Sequence, residues 1–119
     1  MSVKIAVVGA GNLARLRAGA FLKTGRARIC AVASRHIETA RRLGAEIGCE
    51  DCFDDYRRIV EARPDAVLVE VPHGAQDAVT LWALDNGLNV MVGGCLATLP
   101  ETADRIVALS RERGLVVEA

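Results

Sequence analysis

The sequence predicts an α/β fold built on a doubly wound, parallel six-stranded sheet with strand order 3-2-1-4-5-6. Three observations carry that expectation. Short apolar runs alternate with helical patterns along the whole chain, and a glycine cluster follows directly on the first run. The composition is 51% hydrophobic but only 3% aromatic. Unbroken strand–helix alternation implies parallel strands joined by right-handed crossovers. A core of small and branched residues suits helices packed closely on a sheet that is buried on both faces.

Val3–Val8 is a nearly continuous apolar run, the mark of a doubly buried first strand. Gly9-Ala10-Gly11-Asn12 breaks it, and a helical pattern follows to about Lys23, with Leu13, Leu16, Ala20 and Phe21 expected on its inner face and Gly25 at its end. Arg28–Ala33 reads as the second strand, and a helix from about His36 to Ile47 stops at Gly48. Cys52-Phe53 is a minimal third strand, followed by a short helix, Tyr56–Ala62. The fourth strand is expected over Asp65–Val71 and ends at Pro72-His73-Gly74; a helix from about Ala75 to Asp85 then stops at Asn86-Gly87. Asn89–Val92 makes the fifth strand and Gly93-Gly94 closes it. The last helix begins near Thr98 or Leu99, where Pro100 suits the first turn and Glu101 the positive end of the dipole. Gly114 ends it, and Leu115–Val117 reads as the sixth strand.

With 119 residues the chain can enclose one core, so residues 1–119 are expected to form a single domain. Fifteen basic and fifteen acidic residues give a net charge of zero, without the clustered basic face that nucleic-acid binding needs. No stretch reaches membrane-spanning length, and Val3–Val8 is too short for a signal-peptide core, so the expected location is cytoplasmic. Of the four cysteines, Cys49 and Cys52 have C-x-x-C spacing but lack the further ligands a zinc site requires. Free thiols, Cys30 and Cys95 included, are the expectation.

Chemistry concentrates at Gly9-Ala10-Gly11-Asn12-Leu13-Ala14, which fits G-x-G-x-x-[G/A] between a strand and the helix it opens. The first glycine permits the tight turn, the second lets backbone approach a pyrophosphate, and Ala14 still allows close helix–strand packing. Free N–H groups and the helix dipole then favour phosphate, which makes Gly9, Gly11, Asn12 and Leu13 cofactor-binding candidates in a dinucleotide-binding (Rossmann) domain. NAD-binding domains place a carboxylate at the end of the second strand for the ribose hydroxyls. Here Ser34 and Arg35 stand there, and a hydroxyl beside a guanidinium suits a 2′-phosphate, so NADP is expected in preference to NAD. The same pair argues against an S-adenosylmethionine methyltransferase, which also wants an acidic residue at that point. A purely structural reading makes Ser34 the helix N-cap and Arg35 a solvated surface residue.

The chain resembles the N-terminal domain of the Gfo/Idh/MocA oxidoreductases, relatives of glucose-fructose oxidoreductase and inositol dehydrogenase. Val3–Ala14, Phe53-Asp54-Asp55-Tyr56, Asp65-Ala66-Val67, Pro72, Gly87-Leu88-Asn89-Val90 and Leu96-Ala97-Thr98 with Glu101 carry the likeness, which covers essentially the whole chain. It implies an NAD(P)-binding domain in which Pro72 and Gly93 stand at strand ends along the cofactor, and hydride transfer between nicotinamide and a sugar-like or cyclic alcohol. The family's Glu-Lys-Pro at the end of the fifth strand reads Gly93-Gly94-Cys95 here, so its lysine is absent, and a frequent histidine is replaced by Gln76. His73 and Lys4 do not substitute for it, and Cys95 is read as a small loop residue rather than a reactive thiol. The resemblance further implies that the substrate pocket lies in a second domain beyond Glu118-Ala119. The chain alone is therefore expected to bind dinucleotide and to be catalytically silent, a small-molecule substrate requiring a second domain or partner. The exposed strand ends near Pro72 and Gly93 would suit self-association. The alternative expectation is a non-catalytic NADP(H)-binding or sensing module.

Overall fold

A computed structural model describes residues 2–119. Its strands are β1 (Val3–Val8), β2 (Ala27–Ala33), β3 (Cys52–Phe53), β4 (Ala66–Val69), β5 (Asn89–Val92) and β6 (Val117–Glu118). Its helices are α1 (Asn12–Lys23), α2 (Ile37–Ile47), α3 (His73–Asp85) and α4 (Pro100–Arg113), with a 3-10 segment at Tyr56–Ala62. The sheet runs β3-β2-β1-β4-β5-β6, and every pairing is parallel. The predicted fold and strand order are therefore those observed.

The winding follows from which face each helix can cover. Ala14 and Ala18 of α1 and Ala40 and Leu43 of α2 bury against Ile5, Val7, Ile29, Val32 and Leu68 on one side. Ile59, Val79, Leu84 and Ile106 bury against Val67, Val69, Val90 and Val92 on the other. Alternate residues of the central strands thus enter opposite cores, which is why those strands read as unbroken apolar runs. The helix ends use the expected chemistry: Gly48 and Gly114 take left-handed conformations with φ of 75° and 65°. In α4, Pro100 occupies the first turn and Arg111 and Arg113 the last.

Several expectations are corrected. Leu13 and Leu16 do not face the sheet; they are 56% and 54% exposed, while Ala14 and Ala18 are buried. Close approach of α1 to the strands leaves room only for small side chains at the contact, so the large apolar residues turn outward. The fourth strand is shorter than Asp65–Val71, because β5 pairs with it only as far as Val92 opposite Val69. Glu70 and Val71 form its exit, and Pro72 caps α3, which starts two residues earlier than expected. β6 lies at Val117–Glu118 rather than over Leu115–Val117, since Leu115 hydrogen-bonds back to Ser110 at the end of α4. Among the described residues no helix is long and apolar enough to cross a membrane.

Candidate dinucleotide site

The strand order reverses between β1 and β4, and a crevice opens where their carboxyl ends diverge. The cleft there is about 900 Å³, toward the upper end of the roughly 300–1,000 Å³ usual for small-molecule sites. Its floor is Val8–Gly11, one wall comes from Ser34–His36 after β2, Thr39 of α2 and residues 54–57, and the other from Glu70–Pro72 and α3.

Gly9 is required twice over. Its φ of 109° lies in a region L side chains avoid, and a β-carbon there would stand 2.7 Å from the Glu70 carbonyl carbon. Its N–H donates to the Ala33 carbonyl at 2.8 Å, which ties the turn to the end of β2. Gly11 differs: its φ of −82° is ordinary, and a β-carbon would meet nothing within 4 Å. It is the N-cap of α1, yet no side chain caps the helix and no acidic residue occupies the first turn. The N-terminal N–H groups and the positive end of the dipole are therefore left for an outside anion, with open space above Gly11 for it.

On the second wall the Ser34 and Thr39 hydroxyls lie 2.5 Å apart, and Thr39 Oγ1 donates to the His36 carbonyl. Ser34 is not the cap of α2; His36 is, because the chain bends after Ser34, His36 itself keeps extended dihedrals, and the helix begins only at Ile37. Arg35 is exposed, lines the cleft and enters no salt bridge among the described residues. Arg57, also on the cleft, is engaged by Asp55, and hydrogen bonds from Arg57 hold that carboxyl below the usual aspartate range.

Gly9, Gly11, Ser34, Arg35 and Pro72 thus share one cleft. Asn12 and Leu13 do not line it with their side chains: Asn12 Oδ1 accepts from Arg15, and Leu13 faces outward. As the first residues of α1 they can meet an anion only through backbone N–H groups. Gly93 also lies off the cleft. A β-carbon there would overlap the Glu70 carboxylate and the Arg17 guanidinium, which form an ion pair over it. Sequence reading missed this pair altogether, as it missed Thr39.

The loop after β5 is anchored from α3. Gln76, fully buried, donates Nε2–H to the Cys95 carbonyl at 2.7 Å, and Asp77 accepts from the Thr98 backbone and hydroxyl at 3.0 and 2.8 Å. Gln76 is thereby committed to holding the loop. The four cysteines are unpaired; burial pushes the thiols of Cys30 and Cys52 up, and that of Cys49 up to about 11.

The sequence profile described as "Oxidoreductase family, NAD-binding Rossmann fold" matches residues 3–119. Among curated proteins, a dTDP-3,4-didehydro-2,6-dideoxy-alpha-D-glucose 3-reductase of Streptomyces violaceoruber is 32% identical over 98% of this chain, and a D-glucoside 3-dehydrogenase of Escherichia coli is 28% identical over 97%. The chain covers 34% and 33% of their lengths, so it spans about a third of these relatives. Among solved structures, a 3-ketoreductase from Actinomadura kijaniata in complex with TDP-benzene and NADP is 28% identical. It superposes with a TM-score of 0.89 over all of this chain and 38% of its own. An enzyme of gentamicin A biosynthesis in complex with NAD gives a TM-score of 0.93 at 21% identity, over 98% of this chain and 34% of its own, which speaks for the fold alone.

Proposed function

The chain belongs to the Gfo/Idh/MocA oxidoreductases, the family with an NAD-binding Rossmann fold, and we propose that its cleft holds NADP(H) in preference to NAD(H). In this reading the pyrophosphate lies on Gly9–Gly11 and the backbone N–H groups of Asn12 and Leu13, the adenosine 2′-phosphate on Ser34 and Arg35, and the nicotinamide half toward Glu70 and Pro72, with Gly93 behind the Glu70 carboxylate. The observation that carries it is the cleft wall after β2, where a hydroxyl and an uncommitted guanidinium stand in place of a carboxylate. The cleft fits such a ligand, since the uncapped α1 terminus and the open space at Gly11 are what a pyrophosphate needs.

Titration of the chain with NADPH and NADH tests this. An Arg–phosphate contact is worth about 1.5–3 kcal/mol, so NADPH is expected to bind on the order of tenfold or more tightly. Arg35→Ala should narrow the gap; a tighter NADH complex would refute the phosphate assignment.

For the whole protein the proposed reaction is hydride transfer between nicotinamide and a sugar-like or cyclic alcohol, in keeping with the sugar chemistry in the names of the relatives. Residues 1–119 then form the cofactor domain, the substrate being held by a further domain or partner. A second reading, a non-catalytic NADP(H)-binding module, is favoured by Gly94, which offers no ammonium, and by Gln76, whose amide is spent on the Cys95 carbonyl. Reduction of NADP by a panel of polyols and sugars, assayed with the whole protein, separates the two. A cytoplasmic location, in keeping with four unpaired thiols, and self-association through the strand ends belong to the same proposal.

A further inference from the structure

The Arg17–Glu70 pair is the feature that the proposed function leaves unexplained. Glu70 exits β4 and Arg17 reaches it from the second turn of α1, and their side chains bond only to each other among the described residues. The Glu70 side chain is 7% exposed and that of Arg17 34%. The other three ion pairs among the described residues have both partners well exposed, and two of them join near neighbours in sequence. Only this one is set into the sheet end, where it fills the space that Gly93 leaves by having no side chain. A buried ion pair gains little over apolar packing of the same volume, because two charges must first leave water. Stability therefore gives no reason for charge here, but position does. Gly9 packs against the Glu70 backbone, and Glu70 lines the cleft on the side opposite Ser34 and Arg35. If the adenosine end lies at Ser34 and Arg35 and the pyrophosphate at Gly11, the remaining half of the dinucleotide runs toward Glu70.

We propose that Arg17 and Glu70 are positioning residues for the nicotinamide half-site and set the relative affinity for oxidised and reduced cofactor. The inference rests on the dinucleotide reading above. The nicotinamide ring carries a positive charge when oxidised and none when reduced. The intact pair presents balanced charge at that end of the cleft, the Glu70 carboxylate buried and the Arg17 guanidinium behind it partly open to water, so the binding site favours neither form strongly. Removing one member leaves an uncompensated charge that acts on one redox form only, with a sign fixed by which partner remains.

The test measures dissociation constants for NADP+, NADPH and adenosine 2′,5′-bisphosphate, which lacks the nicotinamide half, on the 119-residue chain and its variants. Glu70→Gln leaves the guanidinium and is expected to raise the NADP+ to NADPH ratio of dissociation constants by about three- to tenfold. Arg17→Met leaves the carboxylate and is expected to lower that ratio. Removing both charges in the double variant should bring the ratio back toward the wild-type value, and all variants should bind the bisphosphate within about twofold of wild type. Glu70→Gln is nearly isosteric, and Arg17 retains access to water, so this variant is expected to fold; either single variant decides the matter. An unmoved ratio with bisphosphate binding intact overturns the inference and leaves the dinucleotide reading standing. Equal losses for all three ligands also overturn it, since the pair would then merely hold the fold. A wild-type chain that binds none of them sinks the dinucleotide reading and this inference together.

Discussion

Gly11→Asp separates binding from folding at one position. The backbone there has φ −82° and ψ −173°, open to any residue, and the new β-carbon meets nothing within 4 Å. Aspartate is a better N-cap than glycine by a few tenths of a kcal/mol, and its charge gains roughly another 0.3–1 kcal/mol at the positive end of α1. The variant should therefore be more stable by about 0.5–1 kcal/mol, a rise in Tm of a few degrees for a domain of this size. The same carboxylate would occupy the space above the turn. About 5 Å from a pyrophosphate charge, at an effective dielectric near 20, the repulsion is about 3 kcal/mol before screening. That corresponds to a loss on the order of a hundredfold in dinucleotide affinity. Calorimetric titration with NADPH and a thermal melt on the same preparation read both quantities. A variant that binds like wild type would show that the turn serves the fold only. A variant that loses binding and stability together would refute the claim that this terminus is left open for a ligand.

Other outcomes follow from the same structure. Gly9→Ala, by contrast, should lower Tm sharply, because both the φ of 109° and the approach of the Glu70 backbone exclude a β-carbon; a melt unchanged within a degree would contradict this. Ile106 is the only fully buried residue of α4, so Ile106→Ala should cost about 2–5 kcal/mol in denaturant unfolding, and a loss below about 1 kcal/mol would mean that α4 is held elsewhere. Cys49, whose thiol burial lifts from an ordinary 9.0 to about 11, favours the protonated folded state. Its contribution to stability is complete below pH 9 and lost as pH rises through about 11. Tm should accordingly fall over that window, and less steeply in Cys49→Ala. Thiol labelling at pH 8 should modify the exposed Cys95 well before Cys30 or Cys49; since Cys30 and Cys49 lie in the cores on opposite faces of the sheet, uniform labelling would show that both open readily.

What the sequence made legible was governed by local chemistry. Apolar runs long enough for a doubly buried strand, glycines at left-handed helix ends, and the glycine turn after β1 each act over a few residues, and the strand order followed from their alternation. The inner face of α1 was not legible, because periodicity favours large apolar residues such as Leu13 and Leu16, whereas tight packing on β1 selected Ala14 and Ala18. The exit of β4 was misjudged for a similar reason: Glu70 and Val71 continue the strand pattern but have no β5 partner beyond Val92. Along the cleft, the positions of Ser34 and Arg35 could be read from their spacing after the glycine turn. Arg17 and Glu70 are 53 residues apart and meet only because Gly93 yields its side-chain space, and no local pattern announces that. The bond from Gln76 to the Cys95 carbonyl is hidden in the same way, since it links α3 to a loop nineteen residues on.

In the proposed complex one cleft holds the pyrophosphate on the glycine turn and the adenosine 2′-phosphate on the wall after β2. A crystal structure of the chain with NADPH tests it most directly. Pyrophosphate oxygens are expected within hydrogen-bond distance of the first N–H groups of α1, and the 2′-phosphate is expected bonded to Ser34 Oγ and the Arg35 guanidinium. A dinucleotide bound across the glycine turn with its 2′-phosphate in solvent, or one bound away from Gly11 altogether, would contradict it.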